Sequence, residues 1–262
     1  TDIPMILSSH GTDVRMMRKY AGATYRYFRP FCHRLKRWTF VSSFLRDSIA
    51  SMDPSLEPIL EVLPLPHNEA VFYRDPSVVR EPQTIVAVTR FTEQKRVDVL
   101  IKAFALVSEK NGAARLEICG GGPLEHQVRA LIGKFGLEER VRIFPPVPQE
   151  GLRTVYNRAG MVVLNSYQEG FGLALSEGML CGAAGIGAES GGITDIIKHE
   201  ERGLLAPVDN VSALADAMLR LISDDRLRSR LAEAGHIFAR ERFASKPLAA
   251  RYAEILREAA RK

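Results

Sequence analysis

Between residues 84 and 206 the sequence alternates six short apolar runs with segments of helical periodicity. Apolar runs of this length are typical of strands that are buried on both faces. Alternating strands and helices favour a parallel sheet with crossover helices on both faces, so the sequence predicts a doubly wound α/β domain. The predicted strands are Thr84–Thr89, Arg115–Cys119, Val141–Phe144, Met161–Leu164, Ala183–Gly187 and Gly203–Ala206.

The flanking regions are organised differently. Three further apolar runs, Ile3–Ser8, Thr39–Ser42 and Ile59–Leu63, predict strands of a smaller α/β region before residue 80. Prolines and weak periodicity predict a linker near residues 66–83. From Val211 onward the pattern predicts helices only, at roughly 211–223, 225–240 and 246–261.

The composition excludes several classes of protein. No apolar run approaches the ~18–20 residues that a membrane-spanning helix needs. The chain has 3 cysteines, which are far apart and form no CxxC pair, so neither a disulfide framework nor a zinc site is indicated. A reducing, cytoplasmic compartment suits this usage best.

The segment from Val14 to Arg46 is strongly basic, with nine Lys or Arg and no Asp or Glu. Eight Tyr, Phe and Trp residues are interleaved with these charges. The pattern is compatible with nucleic acid, an anionic membrane surface or a phosphorylated substrate. It is equally compatible with a solvated helix face whose aromatic residues lie in the core. No RNA-binding signature is present, so no nucleic-acid partner is predicted.

Ligands of open α/β sheets bind beyond the carboxyl ends of the strands, so the residues after each predicted strand are candidates. Arg90 follows the first strand of the larger region, and Lys95 is expected to open the next helix. Two cations at a helix start suit a phosphate or pyrophosphate. Taken alone, the pair is more simply read as ordinary surface charges.

Glycines follow the second strand of this region, as Gly120-Gly121-Gly122-Pro123. They allow a tight turn or the close approach of a ligand, and a plain strand-to-helix turn is the simpler interpretation. The run is not the GxGxxG fingerprint, and no acidic residue ends the next strand to bind a ribose. A nicotinamide-dependent oxidoreductase is therefore disfavoured.

The stretch after the fourth strand is the most informative, since Glu169 and Glu177 are separated by seven residues around a predicted helix start. Gly170 and Gly172 precede that helix and leave backbone N–H groups free to bind an anion. Two acceptors that flank an anion site suit a nucleotide sugar. A capped helix with surface glutamates is the alternative. His10 also follows a predicted strand, and the loop Ser190–Asp195 is expected to form a wall of the same cleft.

Together these motifs resemble the retaining glycosyltransferases of family 4, which have the two-domain GT-B fold. The similarity runs from about residue 84 to 243, and weaker similarity, including His10-Gly11-x-Asp13, precedes it. The motifs that carry it are Val88-x-Arg90-Phe91, Lys95-x-x-Asp98-x-Leu100-Ile101-x-Ala103, Gly120-x-Gly122-Pro123, Gly136-Leu137, Glu169-Gly-Phe-Gly-Leu173 with Glu177, and Gly191-Gly192.

The resemblance implies roles for individual residues. Arg90 and Lys95 would hold the donor pyrophosphate and stabilise the departing nucleoside diphosphate, Glu177 would bond the ribose hydroxyls, and Glu169 would bond a hydroxyl of the donor sugar. His10 would face the transferred sugar from the acceptor side. The remaining donor-binding positions implied are Gly121, Gly170, Phe171, Gly172 and Leu173.

The family transfers sugar with retention and without a divalent metal, and this sequence contains no Asp-x-Asp motif. Arg96, Ala184 and Asp195 replace residues that are usual in the family, and none of these changes removes a charged donor ligand. The sequence does not identify the nucleotide base, so UDP-, GDP- and ADP-sugars all remain candidate donors.

The resemblance also predicts a domain organisation. Residues 1–80 would be the incomplete end of an acceptor-side domain, 81–245 the donor-binding domain, and 246–262 a helix that crosses back to the first domain. An incomplete domain and a start at Thr1 predict a fragment of a longer chain. The expected acceptor is a sugar, lipid-linked or small, with peripheral membrane contact through residues 14–46. A non-catalytic GT-B-like partner protein is the main alternative.

Overall fold

The structure of the protein is a computed structural model that describes residues 3–20 and 25–261. Thr1, which the fragment prediction invokes, and residues 21–24 of the basic segment lie outside the described residues. The strands are β1 (Met5–Ser9), β2 (Leu35–Phe40), β3 (Leu60–Val62), β4 (Glu81–Val88), β5 (Arg115–Cys119), β6 (Val141–Phe144), β7 (Ala159–Leu164), β8 (Ala184–Ala188) and β9 (Leu204–Ala206). The α-helices are α1 (Thr12–Lys19), α2 (Tyr25–Cys32), α3 (Ser43–Met52), α4 (Val97–Lys110), α5 (Glu125–Lys134), α6 (Gln149–Arg158), α7 (Leu173–Leu180), α8 (Ile193–Ile196), α9 (Val211–Ser223), α10 (Asp225–Arg242) and α11 (Ser245–Ala260).

The chain divides into two compact units. Unit 1 comprises Thr1–His67, Glu169–Phe171 and Phe243–Lys262. Unit 2 comprises Asn68–Gln168 and Gly172–Arg242. The domain limits at residues 81 and 246 stay predictions.

Unit 1 is built on a parallel three-stranded sheet in the order β1-β2-β3. Trp38 and Phe40 of β2 are fully buried and stack with their ring centroids 5.2 Å apart. The indole N–H of Trp38 donates to Ser9 Oγ at 2.8 Å, which satisfies a polar atom inside this core. Arg251 of α11 donates from Nε and Nη2 to the Glu61 carboxylate at 2.7 and 2.8 Å, which ties α11 to β3.

The sequence misplaced β2, which was expected at Thr39–Ser42 and begins four residues earlier at Leu35. Lys36 and Arg37 belong to β2 but interrupt its apolar pattern, and the Lys36 side chain is exposed. Ser42, expected to end the strand, is instead the N-cap of α3, where its side chain accepts from the Leu45 N–H.

Unit 2 is built on a parallel six-stranded sheet in the order β6-β5-β4-β7-β8-β9. All its neighbouring strands pair in parallel, and apolar side chains from the sheet, α4, α5, α9 and α10 form one buried core. The predicted doubly wound α/β fold is therefore confirmed. β4 begins at Glu81, inside the predicted linker, because Glu81 pairs with Ala159 of β7. β5 pairs with β4 only from Thr84, so Pro82 interrupts no ladder on that side.

The order of these strands creates a topological switch. From β4 the chain builds outward through β5 and β6, and then returns to place β7, β8 and β9 on the other side of β4. Loops that leave β4 and β7 at their carboxyl ends therefore diverge and leave a crevice, which is where open α/β sheets bind ligands. Two of the candidate segments, the Arg90 loop and the start of α7, lie at this switch.

Candidate functional site

The loop after β4 carries the two predicted cations. Arg90 is exposed two residues beyond the end of β4, and Lys95 is the last residue of a single 3₁₀ turn, Glu93–Lys95. The expectation that Lys95 opens a helix is wrong, because α4 begins at Val97. Arg96 lies between the 3₁₀ turn and α4 with a left-handed φ of 49°, and its carbonyl accepts from Asn165 Nδ2 at 2.8 Å. Backbone geometry at Arg96 therefore separates the cationic turn from the helix.

Hydrogen bonds join the loops of three neighbouring strands at this edge. The Tyr167 N–H donates to the Gln94 carbonyl at 2.8 Å, and Gln94 Nε2 donates to the Gln168 carbonyl at 3.1 Å. The Gln168 N–H donates in turn to Ser190 Oγ at 2.9 Å. Ser190 belongs to the loop predicted as a wall of the cleft, whereas the sequence reasoning did not identify Gln94 or Gln168. These bonds hold the Arg90 loop beside the loop that leads towards α7.

The glycine turn after β5 packs against the same loop. Gly120 has φ 149°, and a Cβ there would lie 1.9 Å from the Thr89 carbonyl oxygen. Gly122 has φ 154°, and a Cβ there would lie 2.8 Å from the Phe91 carbonyl oxygen. Gly121, the predicted donor-binding residue, has no such restriction, but its carbonyl accepts from the Phe91 N–H at 2.9 Å. The two outer glycines thus allow the backbone of residues 89–91 to approach closely.

Helix α7 begins directly at the switch. Its N-cap is Gly172, with φ 116°, and a Cβ there would lie 3.1 Å from Ile196 Cδ1. No side chain of the described residues caps this helix. The Leu175 N–H donates to the Gly172 carbonyl at 3.0 Å, so the N–H groups of Leu173 and Ala174 are the ones available to an anion. Helix α7 therefore begins directly after Gly170 and Gly172, as the sequence predicted.

Glu177 lies on the second turn of α7, where the sequence placed it on the first or second. The side chain is half-buried, and burial raises its pKa to about 7. The hydroxyl of Tyr156, a fully buried residue of α6, donates to Glu177 Oε2 at 3.2 Å and lowers that pKa in part. Tyr156 was not predicted, because its position 21 residues upstream gives no signal of this contact.

Unit 1 holds the other predicted site residues. His10 is exposed directly after β1, with its Nε2 3.3 Å from Ser8 Oγ. A Cβ on Gly170 would lie 2.5 Å from the His10 carbonyl oxygen, so only glycine fits that contact. Unit 1 therefore brings the backbones of His10 and Gly170 together.

Phe171 and Glu169 also belong to unit 1. The Phe171 ring is buried, with its centroid 5.2 Å from that of Phe243 and 6.4 Å from that of His67. Its side chain is thus a packing group of unit 1. The predicted set is divided between the units, with Arg90, Lys95, Gly121, Gly172, Leu173 and Glu177 in unit 2.

The described residues, 3–20 and 25–261, hold neither a metal cluster nor a membrane-spanning helix. No group of three or more His, Cys, Asp or Glu side chains there is arranged to hold a metal ion. Within the same described ranges, no helix combines the length and the apolar character that crossing a bilayer requires.

The sequence model of the glycosyl transferases group 1 family matches residues 72–237, more than half of the chain. The chain belongs to the glycosyl transferases group 1 family. This match confirms the resemblance drawn from the motifs. As a group 1 glycosyltransferase, the chain is a member of a transferase family in which sugars are the transferred groups.

Curated relatives agree with this assignment. An N-acetyl-α-D-glucosaminyl L-malate synthase of Bacillus anthracis is 30% identical over 172 residues, which are 65% of this chain and 44% of the relative. The amylovoran biosynthesis glycosyltransferase AmsK of Erwinia amylovora is 33% identical over 149 residues, 55% of this chain and 37% of the relative. This group 1 chain therefore spans about two fifths of the length of the curated relatives it matches.

Solved structures of the same class share the fold. HepE of Anabaena in complex with UDP and glucose superposes with a TM-score of 0.85 at 18% identity, covering 97% of this chain and 71% of that one. TarM of Staphylococcus aureus, as a mutant in complex with UDP among other ligands, gives a TM-score of 0.78 at 19% identity, covering 88% and 46%. These likenesses confirm the GT-B fold of this group 1 glycosyltransferase.

Proposed function

We propose that the chain binds a nucleoside-diphosphate sugar and transfers the sugar to an acceptor with retention of anomeric configuration. The observation that carries the proposal is the placement of Arg90, Lys95 and the uncapped start of α7 at the topological switch of the unit 2 sheet. Cations and free backbone N–H groups at that point suit a diphosphate. The similar structures of TarM and HepE are complexes with UDP, which supports the same ligand class here.

In this proposal the cations act on the leaving group. Breaking the bond between the sugar and the diphosphate adds negative charge to the diphosphate oxygens, and the guanidinium of Arg90 and the ammonium of Lys95 stabilise that charge. The dipole of α7 adds to the same field. Because these groups supply positive charge themselves, we propose that transfer does not depend on a metal.

Glu177 would accept hydrogen bonds from the ribose hydroxyls. A carboxylate accepts two such bonds best when it is ionised, whereas burial favours its neutral form. Hydroxyl donors from a bound ribose would favour ionisation, and the Tyr156 hydroxyl already does so in part. Nucleotide binding is therefore expected to lower the pKa of Glu177.

Retention would follow from attack on the same face from which the diphosphate departs. The acceptor oxygen forms its bond to the anomeric carbon, the bond to the diphosphate oxygen breaks, and the acceptor proton passes to the diphosphate. In unit 1, the roles proposed for His10 and Glu169 are contacts to the transferred sugar. Backbone N–H groups around Phe171, Gly172 and Leu173 would support the sugar and the phosphates.

The proposal extends to the setting of the reaction. Relatives named for amylovoran biosynthesis and for D-inositol 3-phosphate support an acceptor in cell-surface polysaccharide or glycolipid synthesis, lipid-linked or small. The three cysteines are free and buried, which suits a cytoplasmic location. Peripheral membrane contact through residues 14–46 would bring the protein to such an acceptor.

Isothermal titration calorimetry with UDP-, GDP- and ADP-sugars, and with NAD as the comparison, tests donor binding. We expect one nucleotide sugar to bind and Glu177→Ala to weaken it by at least tenfold. Transfer is then tested by release of nucleoside diphosphate and by NMR of the anomeric proton of the product. Binding without release in the presence of acceptors would favour a non-catalytic partner protein, and preferential NAD binding would overturn the proposal.

A further inference from the structure

Unit 2 contains a cavity at the amino ends of its strands. Its volume is about 470 Å³, a size typical of small-molecule sites. Arg80 directly precedes β4, Gly160 is the second residue of β7, Gly182 lies two residues before β8, and all three line the cavity. Because β4, β7 and β8 are parallel neighbours, the cavity and the Arg90 loop lie at opposite edges of the sheet, about 20 Å apart.

Arginine side chains converge on this cavity. Arg74 and Arg80 precede β4, and Arg228 lies in the first turn of α10, where it pairs with the exposed Asp225. A Cβ on Gly182 would lie 2.7 Å from Arg74 Nε and 3.1 Å from Arg80 Nη2, so both guanidinium groups face the same glycine. Burial, together with the charges of Arg74 and Arg228, lowers the pKa of Arg80. An anion in the cavity would offset the repulsion between these like charges.

Arg80 is held by carbonyl oxygens. Its Nη2 donates to the Cys181 carbonyl at 2.7 Å, and its Nη1 donates to the carbonyls of Tyr156 and Ala159. Within the part of the chain that the structure describes, no carboxylate is among the groups that shift the pKa of Arg80. The carbonyls orient the guanidinium without neutralising it, so the cavity contains a fixed positive charge.

The acidic side chains that line the cavity already have partners. Glu233 Oε2 accepts from Arg74 Nη1 at 2.5 Å. The Asp75 carboxylate accepts from the N–H and the hydroxyl of Ser77 at 3.0 and 2.6 Å. Glu233 is exposed, so its ion pair with Arg74 is open to competition from another anion.

The remainder of the wall is partly apolar. Pro76, Val78 and Pro82 line the side that is formed by the segment before β4. A cavity of this volume is larger than a bare phosphate ion needs, whereas guanidinium groups bind phosphate oxygens in a geometry that few other anions match. The combination suits a phosphate group that is attached to a small organic body.

We propose that this cavity binds a small phosphate monoester, with the phosphate between Arg74 and Arg80 and the organic part against Pro76 and Val78. The inference goes beyond the proposed function, because the site is separate from the donor site and requires neither a nucleotide nor sugar transfer. The alternative is that Arg80 only caps the last carbonyls of α6 and α7, and that alternative predicts no phosphate binding.

Amide chemical shifts of the isotope-labelled whole chain, titrated with phenyl phosphate, inorganic phosphate and phenol, test the inference. We expect phenyl phosphate to shift the Gly182 amide and to bind at least threefold more tightly than inorganic phosphate, because its ring covers the apolar wall. Phenol should leave that amide unshifted.

Two variants of one ion pair should change the affinity in opposite directions. Arg74→Gln should weaken phenyl phosphate binding about tenfold, since it removes a charge-assisted hydrogen bond. Glu233→Gln should strengthen binding about threefold or more, since it removes the carboxylate that competes for Arg74. Both side chains are exposed, so the fold should persist, as circular dichroism would verify.

The ion pair between Arg220 and Glu200 is a matched control on the same unit, with Nη2 and Oε1 2.6 Å apart and both side chains exposed. Arg220→Gln and Glu200→Gln should each bind phenyl phosphate like wild type. Arg90→Ala combined with Lys95→Ala should keep the shift of the Gly182 amide, because those cations lie at the opposite edge of the sheet.

Three results would each overturn the inference. They are shifts confined to the start of α7, equal affinity of wild type and Arg74→Gln, and weaker binding by Glu233→Gln. Failure of the proposed function is distinguishable from these, because it would abolish nucleotide binding and leave the response of Gly182 to phenyl phosphate intact.

Discussion

The hydroxyl of Tyr156 donates a hydrogen bond to Oε2 of Glu177 at 3.2 Å, and it does so from a fully buried position in α6. Burial and the adjacent carboxylate raise the pKa of the phenol, so Tyr156 remains a donor throughout the physiological range. This hydrogen bond joins α6 to the second turn of α7. Glu177 is consequently an acceptor whose charge state is determined by the fold.

The first prediction concerns stability against pH. The pKa of Glu177 is about 7 in the folded protein against an ordinary value of 4.5, so the folded chain holds this proton more tightly than the unfolded chain. The stability linked to that proton is complete below pH 4.5 and is lost as the pH rises through 7. Glu177→Gln should remove this part of the pH dependence, about 1–3 kcal/mol between pH 5 and 8, in urea unfolding at each pH.

Glu138→Gln is the matched control for that measurement, because Glu138 is an exposed acid of the same unit. The control should retain the wild-type slope of unfolding free energy against pH. Identical slopes for wild type and Glu177→Gln would show that folding does not raise the pKa of Glu177.

The second prediction concerns Tyr156→Phe, which removes the hydroxyl and keeps the ring. The Glu177 carboxylate would lose a donor that favours its charged form, so its pKa should rise above about 7. An NMR pH titration of the carboxyl carbon of Glu177 measures this directly. Under the proposed function, nucleotide affinity at pH 7 should also fall and recover at higher pH. An unchanged titration would mean that the hydrogen bond is not formed in solution.

The third prediction concerns the cations at the sheet switch. Arg90→Ala and Lys95→Ala should each weaken nucleoside-diphosphate binding about ten- to a hundredfold, which corresponds to the loss of one charge-assisted hydrogen bond. Calorimetry with the best-bound nucleoside diphosphate measures this. Lys110→Ala, at the far end of α4, should bind like wild type. If all three variants bind equally well, the diphosphate does not lie at this edge.

Much of the fold could be predicted because the buried strands of unit 2 are continuous apolar runs. β5 and β6 occur at the predicted limits, and Glu177 lies on the expected turn of α7. The prediction failed where local chemistry obscures the pattern, as at β2, whose Lys36 and Arg37 interrupt the apolar residues.

Tertiary features of the candidate site could not be predicted in the same way. The hydrogen bond from Gln94 to Gln168 joins residues that are 74 positions apart. The hydrogen bond from Tyr156 to Glu177 forms only because α6 packs against α7. Side chains of these types give no periodic signal and form common surface contacts. The sequence also could not show that Phe171 is buried against Phe243, since the two residues are far apart along the chain.

The last prediction separates two neighbouring glycines of the turn after β5. Gly120→Ala forces a Cβ to within 1.9 Å of the Thr89 carbonyl oxygen at φ 149°, so the Arg90 loop or the turn must move. Gly121→Ala places its Cβ 3.4 Å from Glu125 Oε2, an ordinary contact at an unrestricted φ. Urea unfolding should show a loss of at least ~2–3 kcal/mol for the first variant and under ~1 kcal/mol for the second. Because the Phe91 N–H donates to the Gly121 carbonyl, displacement of this turn should also disturb Arg90, and Gly120→Ala should weaken nucleotide binding even in the folded fraction. Equal stability of the two variants would mean that the turn does not press against residues 89–91.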